Sequence, residues 1–190
     1  MDHFDRLAPL YDRLIQPPAD DMLADLLKLP VTGRLLDAGG GTGRIAARLQ
    51  GQAAQIVVAD GSLPMIAQAL EKGCCQVVAS QTERLPFPAG AFERVIAIDA
   101  YHHLLDQTAS LAEFWRVLAP GGMLVIEEPD IDQWVVKLVA LAEKVTLFRS
   151  HFVHADRISE GLKALGASVE IHRKGHNVWV IGEKGGRGIK

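Results

Sequence analysis

Short, β-branched apolar runs alternate along this chain with longer stretches in which apolar residues return every three or four positions. The first pattern suits strands buried on both faces, and the second suits helices that cover them with one apolar stripe. Strands are expected at Arg34–Ala38, Gln55–Asp60, Gln76–Ala79, Arg94–Asp99, Met123–Glu127, Ser168–His172 and Asn177–Gly182. Helices are expected at Gly43–Gln50, Leu63–Lys72, Thr108–Leu118, across 134–148, and at Asp156–Leu165, with Asp156 as the N-cap of the last and Gly166 as its stop. This alternation predicts an α/β fold, a doubly wound and mostly parallel seven-stranded sheet. Only Arg173-Lys174-Gly175-His176 separates the final two strands, so these should form an antiparallel C-terminal hairpin.

Ahead of the first strand, Phe4, Leu7, Leu10 and Leu14, then Met22, Leu23, Leu26 and Leu27, recur at helical spacing around Pro17-Pro18. They predict a helical N-terminal flap over residues 1–30. Trp134, Leu138, Leu141, Val145 and Phe148 form one apolar stripe whose simplest use is packing on the sheet. Residues 1–184 thus read as one domain, and the glycine-rich 185–190 as a frayed tail.

A 190-residue chain with 48% hydrophobic and 23% charged residues has material for a real core. The formal net charge of −3 supplies no cationic field for a phosphate backbone, which disfavours nucleic acid as a partner. Cys74 and Cys75 are sequence neighbours and cannot staple distant segments, which suits a reducing compartment, the cytoplasm. The opening Met1-Asp2-His3-Phe4-Asp5-Arg6 lacks the basic flank and apolar core of an export signal. The 134–148 stretch is short and broken by Lys137, Glu143 and Lys144, so no membrane span is expected. Nothing in the pattern selects an oligomeric state.

The chemistry concentrates at Leu35-Leu36-Asp37-Ala38-Gly39-Gly40-Gly41-Thr42-Gly43-Arg44, where a buried strand, a glycine turn and a helix start follow one another. Glycines let the backbone turn sharply and approach a ligand closely, and a helix start offers unpaired N–H groups. A dinucleotide fingerprint wants a small residue at 44, and a phosphate-binding P-loop wants Lys-Ser/Thr after the last glycine; Arg44-Ile45 fits neither. What remains is Asp-x-Gly-x-Gly-x-Gly after one strand and an acid, Asp60, at the end of the next. A plain connecting turn is the competing reading.

That arrangement resembles the S-adenosylmethionine site of Rossmann-like class I methyltransferases. Thr82 to Phe92, Arg116 to Gly122, Tyr11-Asp12 and His102-His103-Leu104 extend the similarity to the family that includes ubiquinone and menaquinone biosynthesis methyltransferases. The resemblance implies that Gly39, Gly41 and Gly43 face the methionine and ribose portions of the cofactor, with Asp37 near its ammonium group. Asp60 would take the ribose hydroxyls, because a carboxylate accepts two hydrogen bonds side by side. Tyr11 on the flap would close over cofactor or substrate; an ordinary half-buried core aromatic is the other reading. Residues 130–155 occupy the place of a substrate lid. One departure stands out: Ser80-Gln81 replaces the acid that usually holds the adenine amino group, leaving Gln81 to serve through its amide.

A sulfonium methyl group is already activated, so such an enzyme chiefly aligns an acceptor and excludes water, leaving S-adenosylhomocysteine as product. A general base is needed only when the acceptor must lose a proton. Asp99, Tyr101, His102 and His103 follow the fourth strand, whose end belongs beside the sulfonium. Asp99, His102 and His103 are the catalytic candidates, a histidine being suited to remove a phenolic or enolic proton; capping or packing of a short helix is the alternative for either histidine. His151 and His154 would share a helical face at a spacing that metal ligands also use, but no third ligand accompanies them, so a metal is not expected. The function predicted is methyl transfer to a phenolic or quinone-like small molecule, against a non-catalytic S-adenosylmethionine-binding regulatory or partner protein. A nucleic-acid amino methyltransferase would carry an Asn/Asp-Pro-Pro-Tyr-like run where Asp99-Ala100-Tyr101-His102 stands.

Overall fold

The computed structural model describes residues 22–133, 136 and 151–186. Among these, the elements run α1 (Met22–Leu26), β1 (Arg34–Ala38), α2 (Arg44–Arg48), β2 (Gln55–Asp60), α3 (Leu63–Lys72), β3 (Gln76–Ala79) and β4 (Phe92–Ile98). A 3₁₀ turn (Tyr101–His103), α4 (Gln107–Val117), β5 (Leu118–Pro129), α5 (Ala155–Ala164), β6 (Ala167–Lys174) and β7 (Asn177–Lys184) follow. The seven strands lie in the order β3-β2-β1-β4-β5-β7-β6. All neighbours are parallel except β7, which runs antiparallel to both β5 and β6.

Each strand of the centre buries both faces, as its continuous apolar run requires. Leu36, Val57, Val95, Leu124 and Val180 pack under α4 and α5 on one face. On the other, Leu35, Val58, Ile96, Val125 and Trp179 pack against α2 and α3, and the wholly buried Leu27 joins them just after α1. Residues 22–29 therefore lie on the core; the earlier flap residues, Tyr11 included, fall outside the described residues, as do 187–190.

Helix ends follow local chemistry. Ser62 Oγ accepts from Met65 N (3.4 Å) to start α3, and Asp106 Oδ1 accepts from Ala109 N (2.9 Å) to start α4. Gly166 closes α5 in the left-handed conformation at φ +88°, as expected. Its start differs: His154, not Asp156, holds the N-cap position, and Asp156 sits in the first turn, where its charge still favours the helix N-terminus. His151 and His154 precede that helix in extended chain, so the shared helical face does not exist. Helix α2 is shorter than the expected Gly43–Gln50. Strand β5 is longer than expected because Pro120-Gly121-Gly122 bulges out between two paired stretches instead of ending the ladder. The hairpin turn shrinks to Gly175-His176, with Gly175 at φ +61°. Of residues 134–148 only Val136 is described, and it is buried; the apolar stripe from Trp134 to Phe148 falls outside the described residues.

Candidate functional site

Strand order reverses between β1 and β4, and the carboxyl ends of strands at such a switch point open a crevice for a ligand. The glycine turn leaves β1 there. Gly39, Gly41 and Gly43 all have positive φ, and a Cβ at Gly39 would stand 2.9 Å from Ala100 Cβ. The turn therefore needs glycine both for its backbone path and for its contact with the segment after β4. Gly39 N donates to Ala59 O (2.7 Å) and Gly43 N to Gly40 O (2.9 Å), which fixes its shape.

Asp60 joins this turn to α3. Its Oδ2 accepts from Gly41 N (2.9 Å) and its Oδ1 from Ser62 N (2.8 Å). Each carboxylate oxygen accepts more than one hydrogen bond, so these contacts orient Asp60 without exhausting it. Gln81 follows β3 and lies over Gly61, where a Cβ would come 3.3 Å from Gln81 Nε2. Asp60 and Gln81 are thus brought to one patch. Beside them Ser80 Oγ is buried without a hydrogen-bond partner among the described residues.

Asp37 is 1% exposed, and its Oδ2 likewise finds no hydrogen-bond partner among the described residues. Burial pushes its carboxyl up to about 7, opposed by the charge of Arg44 and reinforced by that of Asp60. An acceptor held this way, beneath Gly40, where a Cβ would stand 2.6 Å from Asp37 Cγ, fits a ligand that brings its own donors or positive charge.

Beyond β4, Asp99 takes φ +51° and pairs with Arg44 across the crevice (3.0 Å). Tyr101 is not an acid or base here: its hydroxyl donates to Gln107 O (3.0 Å), and burial pushes it well above the usual phenol range. His102 is buried, stacks on Phe152 with ring centroids 4.4 Å apart, and brings Nδ1 2.5 Å from Glu128 Oε2. His103 lies against it at 3.9 Å, and burial, aided by His102, lowers its imidazole to about 3. It is therefore neutral throughout the physiological range and only a weak base.

Residues 36–126 match the family model described as a methyltransferase domain. The demethylmenaquinone methyltransferase of Thermus thermophilus is 36% identical over 66% of this chain and 63% of its own. The ubiquinone/menaquinone biosynthesis C-methyltransferase of Coxiella burnetii is 33% identical over 50% of this chain and 42% of its own. A solved SAM-dependent methyltransferase from Thermotoga maritima superimposes with a TM-score of 0.77 at 20% identity, covering 95% of this chain and 98% of that one. The chain is thus similar to the class I methyltransferases in fold and over residues 36–126. It spans 63% or less of the length of these two curated relatives.

The sequence reading singled out Asp37, Gly39, Gly41, Gly43, Asp60 and Gln81, which the structure places at the carboxyl ends of β1 to β3, and Asp99, His102 and His103, which follow β4. It missed three residues. Arg44, taken only as a departure from a dinucleotide fingerprint, reaches Asp99. Glu127 is 1% exposed and accepts from Asn177 Nδ2 (2.7 Å) and Trp179 Nε1 (2.9 Å); burial, with the charge of Asp99, pushes it up to about 7. Glu128, 2% exposed, accepts from Tyr101 N (2.9 Å) as well as facing His102. The signal for both was present, since adjacent carboxylates in an otherwise apolar strand are rarely buried unless paired. Among the described residues no cluster of three or more metal-ligating side chains occurs. Cys74 and Cys75 are free and half-buried, and burial beside Cys74 drives the Cys75 thiol up to about 12, out of reactive range.

Proposed function

We propose that this protein transfers a methyl group from S-adenosylmethionine to a small phenolic or quinone-like acceptor. The observation that carries the reading is the convergence at the switch point of the turn at Gly39–Gly43, the Asp60 carboxylate and Asp37 Oδ2, which has no hydrogen-bond partner among the described residues. The cofactor, when bound, supplies a methyl group already activated on a sulfonium.

The chain's own residues then do the rest. Backbone of the glycine turn lies against the ligand where no side chain intervenes. Asp37 meets its ammonium group, Asp60 its ribose hydroxyls, and Gln81 its adenine edge, with Tyr11 of the N-terminal segment as a further contact. Asp99, held by Arg44, and the histidines after β4 line the acceptor side. The 130–155 region is the proposed lid. The curated relatives are named for quinone methylation, and that is why a reduced quinone heads the acceptors. The neighbouring free cysteines support the cytoplasm as the compartment; among the described residues no helix is long and apolar enough to cross a membrane.

The test is turnover of methyl-labelled S-adenosylmethionine against a panel of phenols and naphthoquinols. Label in an organic-soluble product supports the reading. Tight binding of the donor without product from any acceptor replaces it with the binding-protein reading, and no binding at millimolar donor ends both.

A further inference from the structure

Glu128 is not among the residues assigned above to the cofactor, and it is buried at the end of β5 with both carboxylate oxygens committed to the turn that carries the histidines. Oε1 accepts from Tyr101 N (2.9 Å), and Oε2 meets His102 Nδ1 at 2.5 Å. The backbone of His102 is fixed as well. His151 N donates to His102 O (2.7 Å), and Gln107 Nε2 bridges Tyr101 O (3.1 Å) and His151 O (2.8 Å). Phe152 lies flat on the ring, with an interplanar angle of 13°. A histidine that merely filled space would not need its turn, its ring plane and one ring nitrogen all restrained.

A carboxylate accepts hydrogen bonds and donates none, so the partner nitrogen of His102 must carry the proton. That leaves Nε2 as the basic nitrogen. The buried carboxylate also stabilises the imidazolium that forms when Nε2 takes a proton, the same logic by which an acid orients the base of a hydrolase triad. The neighbouring His103, stacked on His102 at 3.9 Å, is lowered to about 3 by burial and by His102 and is the weaker base.

We propose that Glu128 is a positioning residue that fixes the tautomer of His102, making His102 rather than His103 the base that deprotonates a hydroxyl-bearing methyl acceptor. This rests on the methyl-transfer reading above. In the step, the acceptor O–H bond breaks and an N–H bond forms at His102 Nε2. The electron pair left on the acceptor oxygen forms its new bond to the methyl carbon as that carbon's bond to the sulfonium sulfur breaks, the sulfur keeping the pair and leaving as the neutral thioether, and the imidazolium returns its proton to solvent after product leaves.

The experiment uses the full chain labelled with ¹⁵N-histidine, the His102 signals being assigned by their loss in His102→Gln. In the wild-type protein Nδ1 should give the protonated, pyrrole-type signal and Nε2 the pyridine-type signal; the opposite pattern overturns the proposal and needs no folded Glu128 variant. In Glu128→Gln the amide oxygen stays on Tyr101 N and the amide nitrogen faces Nδ1, so the tautomer should invert. Turnover with a weakly acidic phenol should then fall by about 10²–10⁴-fold in kcat, with KM for the donor unchanged. A phenol already ionised at the assay pH should restore most of the rate, because no base is then required. Equal loss with both phenols, or normal kcat with the weakly acidic one, refutes the positioning role. Should the wild type bind donor and methylate nothing, methyl transfer fails while the tautomer signals still decide whether Glu128 sets the ring.

Discussion

Asp37 shows most clearly how a single residue trades stability for a site. Its carboxyl titrates near 7 in the folded protein against about 4 in an exposed chain. Between those values the folded state keeps a proton that the unfolded state has released, so stability declines as pH rises from about 4 to about 7 and then levels. Asp37→Asn removes the ionisation and supplies an N–H at the partnerless position. It should raise unfolding free energy by about 1–3 kcal/mol at pH 8 and by little at pH 4.5, read by urea denaturation at both. An equal gain at both pH values would show that ionisation is not the cost. At this scale the sequence was most informative where the chemistry is local: Asp37 and the three glycines sit within seven positions. Glu128 meets its partners 26 and 27 residues away and Glu127 meets Trp179 52 residues away, and no pattern in one strand announces which donors another will bring.

Among the elements, the consequential joint is the one that Asp60 makes between the glycine turn and α3. Asp60→Ala should weaken S-adenosylmethionine binding by about 1–3 kcal/mol, through loss of charge-assisted hydrogen bonds to the ligand and of the tie to Gly41. Titration calorimetry measures it, and unchanged affinity would take Asp60 out of the site. All seven strands were legible because buried runs of β-branched residues with short connections leave few alternatives. Their ends were less so. Pro120-Gly121-Gly122 looks like a terminator in isolation, yet the ladder resumes beyond it because Leu118 pairs with Phe92 and Met123 with Arg94 on either side. His154 likewise displaced Asp156 as the N-cap because the start of α5 is set by how the preceding chain docks on the 3₁₀ turn, through His151 N and His102 O.

For the molecule as a whole, the antiparallel strand β7 does more than close the sheet. It brings the indole N–H of Trp179 and the amide of Asn177 to Glu127, so the C-terminal hairpin satisfies a carboxylate beside the crevice. Trp179→Phe keeps most of the apolar contact and leaves that carboxylate one donor short. It should cost about 1–3 kcal/mol of stability, measured by denaturant unfolding followed by circular dichroism, and a loss below about 0.5 kcal/mol would show that Glu127 does not depend on the indole. The family match ends at residue 126, so Glu127, Glu128 and the hairpin that serves them lie past the segment shared with that family model.

Successive residues of a strand project to opposite sides, and β5 ends with two acids in succession, one serving the Trp179 side and the other the His102 side. One strand end thereby delivers a different reagent to each half of the molecule. An insertion or deletion of one residue within β5 would send each carboxylate to the other's neighbours, presenting an acid to the wrong set of donors on both sides at once.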